Sequence, residues 1–336
     1  MWTAHENRKG KKKAVINLPE PPDFQPLIQQ YRRCGTNLDS IFKEQIPPPT
    51  SLFLSFFTDD ILNTVVLNTN LYAESKRATT AGRAWKNISK DELVTWLAIT
   101  IYIGLYKLSS YVSIWNASRE APTHHISRYM FLVRYEQIKR YLHVCAPDAN
   151  IVDYCDKLEP LISHVRDASK RFYTPSSNVS VDEMMIRFSG RSAHTTRMKN
   201  KPIPEGFKIF SLCDAGYTYT FIPTSRITPV KVSKILGLTQ SACIVNHLVM
   251  QLPKTSNYRV FMDNYFTSVK LFQHLRDHNI GACGTARKQG GVPIELQVAK
   301  GTKLNWDARS GAVIGGVCHE PPAFQIRLDA SHKPLV

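Results

Sequence analysis

The chain has 336 residues, 43% hydrophobic and 21% charged, enough for one large core or two smaller ones, which excludes a wholly disordered protein. Its 43 Lys and Arg against 27 Asp and Glu give a net charge of +16, an excess that points to a polyanionic partner, nucleic acid ahead of an anionic membrane surface. Seven scattered cysteines with no Cys-x-x-Cys pair argue against a zinc ribbon or a disulfide framework, and the most apolar run, residues 93–108, is shorter than the ~20 residues that cross a bilayer.

Residues 1–50 read as a basic, proline-containing, largely disordered arm. Arg8-Lys9-Gly10-Lys11-Lys12-Lys13 has the composition of a nuclear address or a phosphate-binding arm, or of a solvated charge run. A short helix is expected around Phe24 to Arg33. From residue 51 to 172 the apolar spacing is helical. Asp59-Asp60 precedes the stripe Ile61, Leu62, Val65, Val66, Leu67, an acidic start that suits the helix dipole. Ser89-Lys90-Asp91-Glu92 has the capping-box pattern and opens a helix over 93–108, hydrophobic nearly all round and therefore expected at the centre of a bundle. Trp115, Ile126, Tyr129, Met130 and Phe131, then Tyr135, Ile138, Tyr141 and Leu142, predict two more helices with their aromatics in the core. Leu158, Leu161, Ile162, Val165 and Ala168 form another.

The pattern changes at Pro175. Strands are predicted over 178–188, 207–213 and 217–222, the last two joined by the tight turn Asp214-Ala215-Gly216. A helix within 241–252, a strand ending at Asp263, a helix capped by Ser268 or Thr267, and a strand at 282–285 complete a mixed α/β order around one sheet. Leu304-Asn305-Trp306-Asp307 and Ala312 to Val317 read as a hairpin.

Two aspartates stand out, Asp182 and Asp263, 81 positions apart in sequence. An Asp at the end of a central strand is exposed yet rigidly held, which suits a ligand of Mg²⁺ or Mn²⁺, the substrate's phosphate oxygens and water completing the shell. Arg187, Arg191, Arg197, Lys199, Lys201 and Lys208 follow the first and read as a DNA backbone track; Asp214 reads as a turn former. His274 and His278, four apart on a helix, lack the Glu of a zinc protease. No membrane and no small-molecule substrate is expected.

Several of these segments resemble the piggyBac transposases and the proteins derived from them. Val181-Asp182-Glu183-Met184 with Phe188-Ser189-Gly190-Arg191 is similar to the family's first-Asp motif. Asn200-Lys201-Pro202, Gly206-Phe207-Lys208 and Cys213-Asp214-Ala215-Gly216-Tyr217 resemble its next segments. Asp263-Asn264-Tyr265-Phe266-Thr267-Ser268 resembles its second-Asp motif, and Gly284-Thr285-Ala286-Arg287 the strand beyond, which adds Arg287 to the DNA-binding set.

The resemblance implies a ribonuclease-H-like mixed sheet over 173–290 and an α-helical DNA-binding and dimerisation domain over 51–172. It implies a nuclear, Mg²⁺-dependent enzyme acting on double-stranded DNA at TTAA sites as a homodimer. Asp182 and Asp263 match the first two of three essential aspartates. The third is expected in a Gly-Val-Asp-type segment well beyond the second, whereas the tail offers only Asp307 and Asp329. The expectation is therefore a truncated, DNA-binding transposase-derived protein, its sheet incomplete at the C-terminus and residues 291–336 a truncated insertion-like segment, catalytically incompetent alone. A domesticated DNA- or protein-binding module, a fragment of an active transposase, and an unrelated nuclease recruiting Asp329 or Glu320 stay open as alternatives.

Overall fold

A computed structural model of the chain describes residues 31–38, 42–43, 46–76, 83–106, 108–116, 124–199, 201–294, 297, 309–313, 323–328 and 334–335. The basic cluster at 8–13 and nearly all of the helix expected at 24–33 lie outside them. Contacts divide the chain into two compact units, residues 37–172 and residues 1–36 with 173–336.

The unit of residues 37–172 is helical. Helix α1 (Pro49–Phe56) starts on a proline, which is tolerated in the first turn because its missing N–H would be unbonded there anyway. Helix α2 (Asp59–Ser75) follows with its acidic first turn and buries Ile61, Leu62 and Val65. Helix α3 (Lys90–Leu105) is capped by Ser89, whose hydroxyl accepts from Glu92 N at 3.2 Å. Only this forward half of the expected capping box is identified. The Glu92 carboxylate instead takes a two-pronged pair from Arg134, Nε at 2.6 Å and Nη2 at 2.7 Å, on helix α4 (Leu132–Tyr141). A bidentate guanidinium–carboxylate bond is stronger than a neutral backbone contact, which accounts for the choice.

Two expectations are corrected here. Helix α3 buries only Leu93, Trp96 and Ile99, while Ile101 and Leu105 are exposed, so it is not central all round. Residues 111–115 and 125–128 form short 3-10 turns, leaving one α-helix where two were predicted. Met130, Tyr135 and Ile138 join the core, but Tyr129 and Phe131 are about three-quarters exposed. Both flank a chain turn, where helical spacing no longer dictates which way a side chain faces. Helix α5 (Glu159–Phe172) closes the unit. Among the described residues no single helix is long and apolar enough to cross a membrane.

In the other unit, β1 (Gly35–Thr36) pairs with β2 (Tyr173–Thr174). The main sheet contains β3 (Asn178–Arg187), β4 (Thr196–Arg197), β5 (Glu205–Asp214), β6 (Tyr217–Thr224), β7 (Tyr258–Met262) and β8 (Ile280–Gly284). The order is β6-β5-β3-β7-β8, with β4 beside β5; β5 and β6 run antiparallel to their neighbours, while β3, β7 and β8 are parallel. This is the ribonuclease-H-like arrangement expected from the sequence. The β5–β6 turn places Ala215 at φ 47° and Gly216 at φ 84°, the left-handed pair that a two-residue hairpin requires and that glycine adopts without strain.

Helices α6 (Gln240–Val249) and α7 (Val269–Asp277) connect β6 to β7 and β7 to β8, the latter helix capped by Ser268. Val245 and Leu248 of α6 and Leu271 and Leu275 of α7 share one core with Val179, Val181, Leu212, Val260 and Met262 of the strands. One sheet face is thereby covered. Strands β9 (Arg309–Val313), β10 (Ala323–Leu328) and β11 (Pro334–Leu335) form a separate antiparallel sheet. The hairpin expected between 304–307 and 312–317 lies for the most part outside the described residues.

Candidate metal and nucleic-acid site

Parallel pairing of β3 with β7 holds one register, Asn178 beside Arg259 through Val181 beside Met262. Continued one step past that last pair, the register would bring Asp182, within β3, to the level of Asp263, the first residue after β7. The face follows from the alternation along each strand. Val179, Val181, Val260 and Met262 point into the core, so Ser180, Asp182 and Phe261 lie on the opposite, exposed side; Asp263, just past the end of β7, is exposed as well. Asp182 lies inside β3, within the strand predicted over 178–188, and Asp263 follows the last residue of β7.

Each carboxylate is oriented by a backbone N–H. Glu183 N donates to Asp182 Oδ1 at 2.7 Å, and Tyr265 N donates to Asp263 Oδ1 at 2.9 Å. The turn after β7 is fixed further by the Thr267 hydroxyl, which donates to Asp263 O at 2.8 Å. The second oxygen of each carboxylate has no protein partner among the described residues. Exposed carboxylate oxygens are the donor type that a hard divalent cation prefers, so the chemistry of both side chains fits such an ion. Among the described residues no group of three or more His, Cys, Asp or Glu side chains converges on a metal position.

The basic residues divide into two groups. Arg187, Arg191, Arg197 and Lys199 are exposed and make no ion pair among the described residues. The other three are engaged locally. Lys201 Nζ lies 3.4 Å from Glu183 Oε1, the Lys208 ammonium sits over the Phe210 and Tyr265 rings at 4.7 and 5.0 Å, and Arg287 donates Nε and Nη2 to Asn264 Oδ1 at 3.2 and 3.0 Å. Arg287 therefore braces the residue next to Asp263. Sequence reasoning missed this bracing and the contact of Lys208 with Tyr265, because both join segments distant in the chain.

Asp214 proves to be more than a turn former. It is buried, and its carboxylate accepts from Ser176 N, from the Ser176 hydroxyl at 2.9 Å and from the Tyr173 hydroxyl at 3.2 Å. Burial, then a hydrogen bond with Cys34 and the Asp214 charge, push the Tyr173 phenol well above its ordinary range and keep it a donor. His274 hydrogen-bonds Asn246 Oδ1 at 3.0 Å, and its pKa is lowered by burial and by His278. His278 Nδ1 in turn lies 2.8 Å from His274 O. Burial likewise raises the Cys283 thiol and outweighs the neighbouring Arg259 charge.

The family model for transposase IS4 matches residues 48–316. The human PiggyBac transposable element-derived protein 3 is 29% identical over 264 residues, covering 75% of this chain and 42% of that protein. The human PiggyBac transposable element-derived protein 2 is 27% identical over 287 residues, covering 83% of this chain and 47% of that one. The chain thus spans about half the length of the curated relatives it matches. A cryo-EM structure of the piggyBac transposase synaptic complex with hairpin DNA superposes with a TM-score of 0.70 at 20% identity, over 90% of this chain and 63% of that one, and shows a common fold. Transposases of this kind generally use a divalent metal. With the match running through both the helical segment and the sheet that carries Asp182 and Asp263, the chain belongs to the piggyBac-type transposase IS4 family.

Proposed function

We propose that this protein binds double-stranded DNA along the basic residues around β3–β5 and brings a backbone phosphate to the Asp182–Asp263 pair, which would hold Mg²⁺. The observation that supports the reading is the parallel register of β3 with β7, which runs up to Asp182 and Asp263, both exposed, with the exposed Arg187, Arg191, Arg197 and Lys199 following along the chain from β3 to just past β4. When bound there, the ion would supply Lewis-acid stabilisation of charge on phosphate oxygens. The chain's own residues do the rest. Glu183 N and Tyr265 N aim the carboxylates, Arg287 and Thr267 fix the turn that carries Asp263, and the arginines neutralise the strand.

Mg²⁺ is commonly held by one or two carboxylates, with phosphate oxygens and water completing its shell, and that is the donor set this pair would offer to a bound DNA strand. The finer parts of the proposal are a TTAA-type sequence, pairing of two copies, and residence in the nucleus with Arg8 to Lys13 as the address. Family membership and the basic cluster support them.

The test is a salt titration of duplex DNA affinity. Wild-type affinity should fall linearly on logarithmic axes as salt rises. Replacing Arg187, Arg191, Arg197 and Lys199 together by alanine should flatten the slope by roughly 3 to 4, close to one unit for each phosphate left without its cation. An unchanged slope would remove these four residues from the interface.

A further inference from the structure

Tyr265 lies two residues after Asp263, and its backbone N–H orients the Asp263 carboxylate. Its side chain does not join the core that takes in its neighbour Phe266; the tyrosine stays 46% exposed and Phe266 only 1%. The ring is nevertheless held firmly. It lies nearly parallel to Phe210, at 6.3 Å between centroids and 13°, and edge-on to Phe266 at 5.0 Å and 87°. The Lys208 ammonium stands 5.0 Å from its centroid. A half-exposed aromatic ring on a rigid mount, with a cation against it and Asp263 two residues before it, has the two parts that a nucleotide needs. A flat face suits the base and an ammonium suits the phosphate.

We propose that Tyr265 is a base-stacking residue: it takes one unpaired nucleobase of a DNA strand lying beside the Asp182–Asp263 pair, and Lys208 takes the adjoining phosphate. This inference rests on the DNA-binding reading above. Nucleotides are commonly extruded from the stack where chemistry or close recognition takes place. Every base has a π-face, so the contact selects unpaired structure rather than sequence.

The experiment uses the full chain and two DNA probes, a fully paired duplex and the same duplex forked at one end with a single unpaired 2-aminopurine at the junction. The readout is the ratio of fork affinity to duplex affinity, which loss of folded protein does not alter. Wild type should prefer the fork and quench 2-aminopurine on binding. Tyr265→Ala should lower the ratio roughly five- to a hundred-fold, while Tyr265→Trp keeps it. Tyr265→Leu fills the space against Phe210 without a stacking face, so it should behave as the alanine variant while staying folded. Ratios in Tyr265→Ala and Tyr265→Leu equal to wild type would overturn the stacking role and leave DNA binding standing. A wild-type protein that binds neither probe would overturn both.

Discussion

Replacing Asp214 by alanine should destabilise the sheet-bearing unit by about 3 kcal/mol, because buried donors would be left without an acceptor. Ser176 N, the Ser176 hydroxyl and the Tyr173 hydroxyl all converge on this one carboxylate, and Ser176 is almost completely buried. Water has little access to take the place of the missing oxygens. The consequence spreads along the chain. Tyr173 is stacked on Tyr217 at 4.3 Å, and the neighbouring Ser177 bonds the 31–36 strap through its hydroxyl to Arg32 N and through its own N–H to Arg32 O. For a unit of this size the midpoint of thermal unfolding should drop by roughly 10 °C. Circular dichroism melts of wild type, Asp214→Ala and Asp214→Asn check this, the Asn variant falling between the other two because it keeps one acceptor. Equal melting temperatures would mean that the carboxylate is dispensable.

The second large effect belongs to Gly284, in β8 beside the end of β7. A Cβ there would lie 2.5 Å from Met262 O and 2.5 Å from Thr267 Oγ1. The first is backbone and cannot swing aside; the second belongs to the hydroxyl that bonds Asp263 O. Gly284→Ala should therefore cost about 1–3 kcal/mol as an overpacked core substitution and also displace Asp263. Gly281 supplies the control on the same strand. Its added Cβ would meet the flexible Arg259 side chain at 3.1 Å, which can yield. Urea unfolding together with Mn²⁺ affinity measures both effects. The prediction is lower stability and weaker Mn²⁺ binding for Gly284→Ala, with Gly281→Ala close to wild type. Similar behaviour of the two variants would contradict the close-approach argument.

Much of the sheet was legible because its signals are local. Alternation marked β3, β5 and β6, the Asp-Ala-Gly turn joined the last two, and Ser268 announced the start of α7. Ser89 likewise marked the start of α3, but the sequence could not say that Glu92 would turn to Arg134, 42 residues away. Periodicity tells which residues share a face; it does not tell what covers that face. That is why Ile101 and Leu105 were expected inside and lie outside, and why Tyr129 and Phe131 at a turn escaped the helical rule. In the candidate site, Asp182 and Asp263 were recognisable as a pair from their motifs. The register that leads to both was not, since it is set by packing of α6 and α7 against β3 and β7 rather than by either strand alone. The burial of Asp214 was hidden for the same reason. A turn-forming residue type says nothing about a Tyr and a Ser 41 and 38 residues earlier.

The most direct test of the central claim is a Mn²⁺ titration of the full chain followed by electron paramagnetic resonance, on wild type, Asp182→Asn and Asp263→Asn. Both substitutions are nearly isosteric and exposed, so the fold should survive them. If the two carboxylates hold one ion together, wild type takes up Mn²⁺ at a site that either substitution removes or weakens at least tenfold. Mn²⁺ uptake that is the same in wild type and in both variants would contradict it.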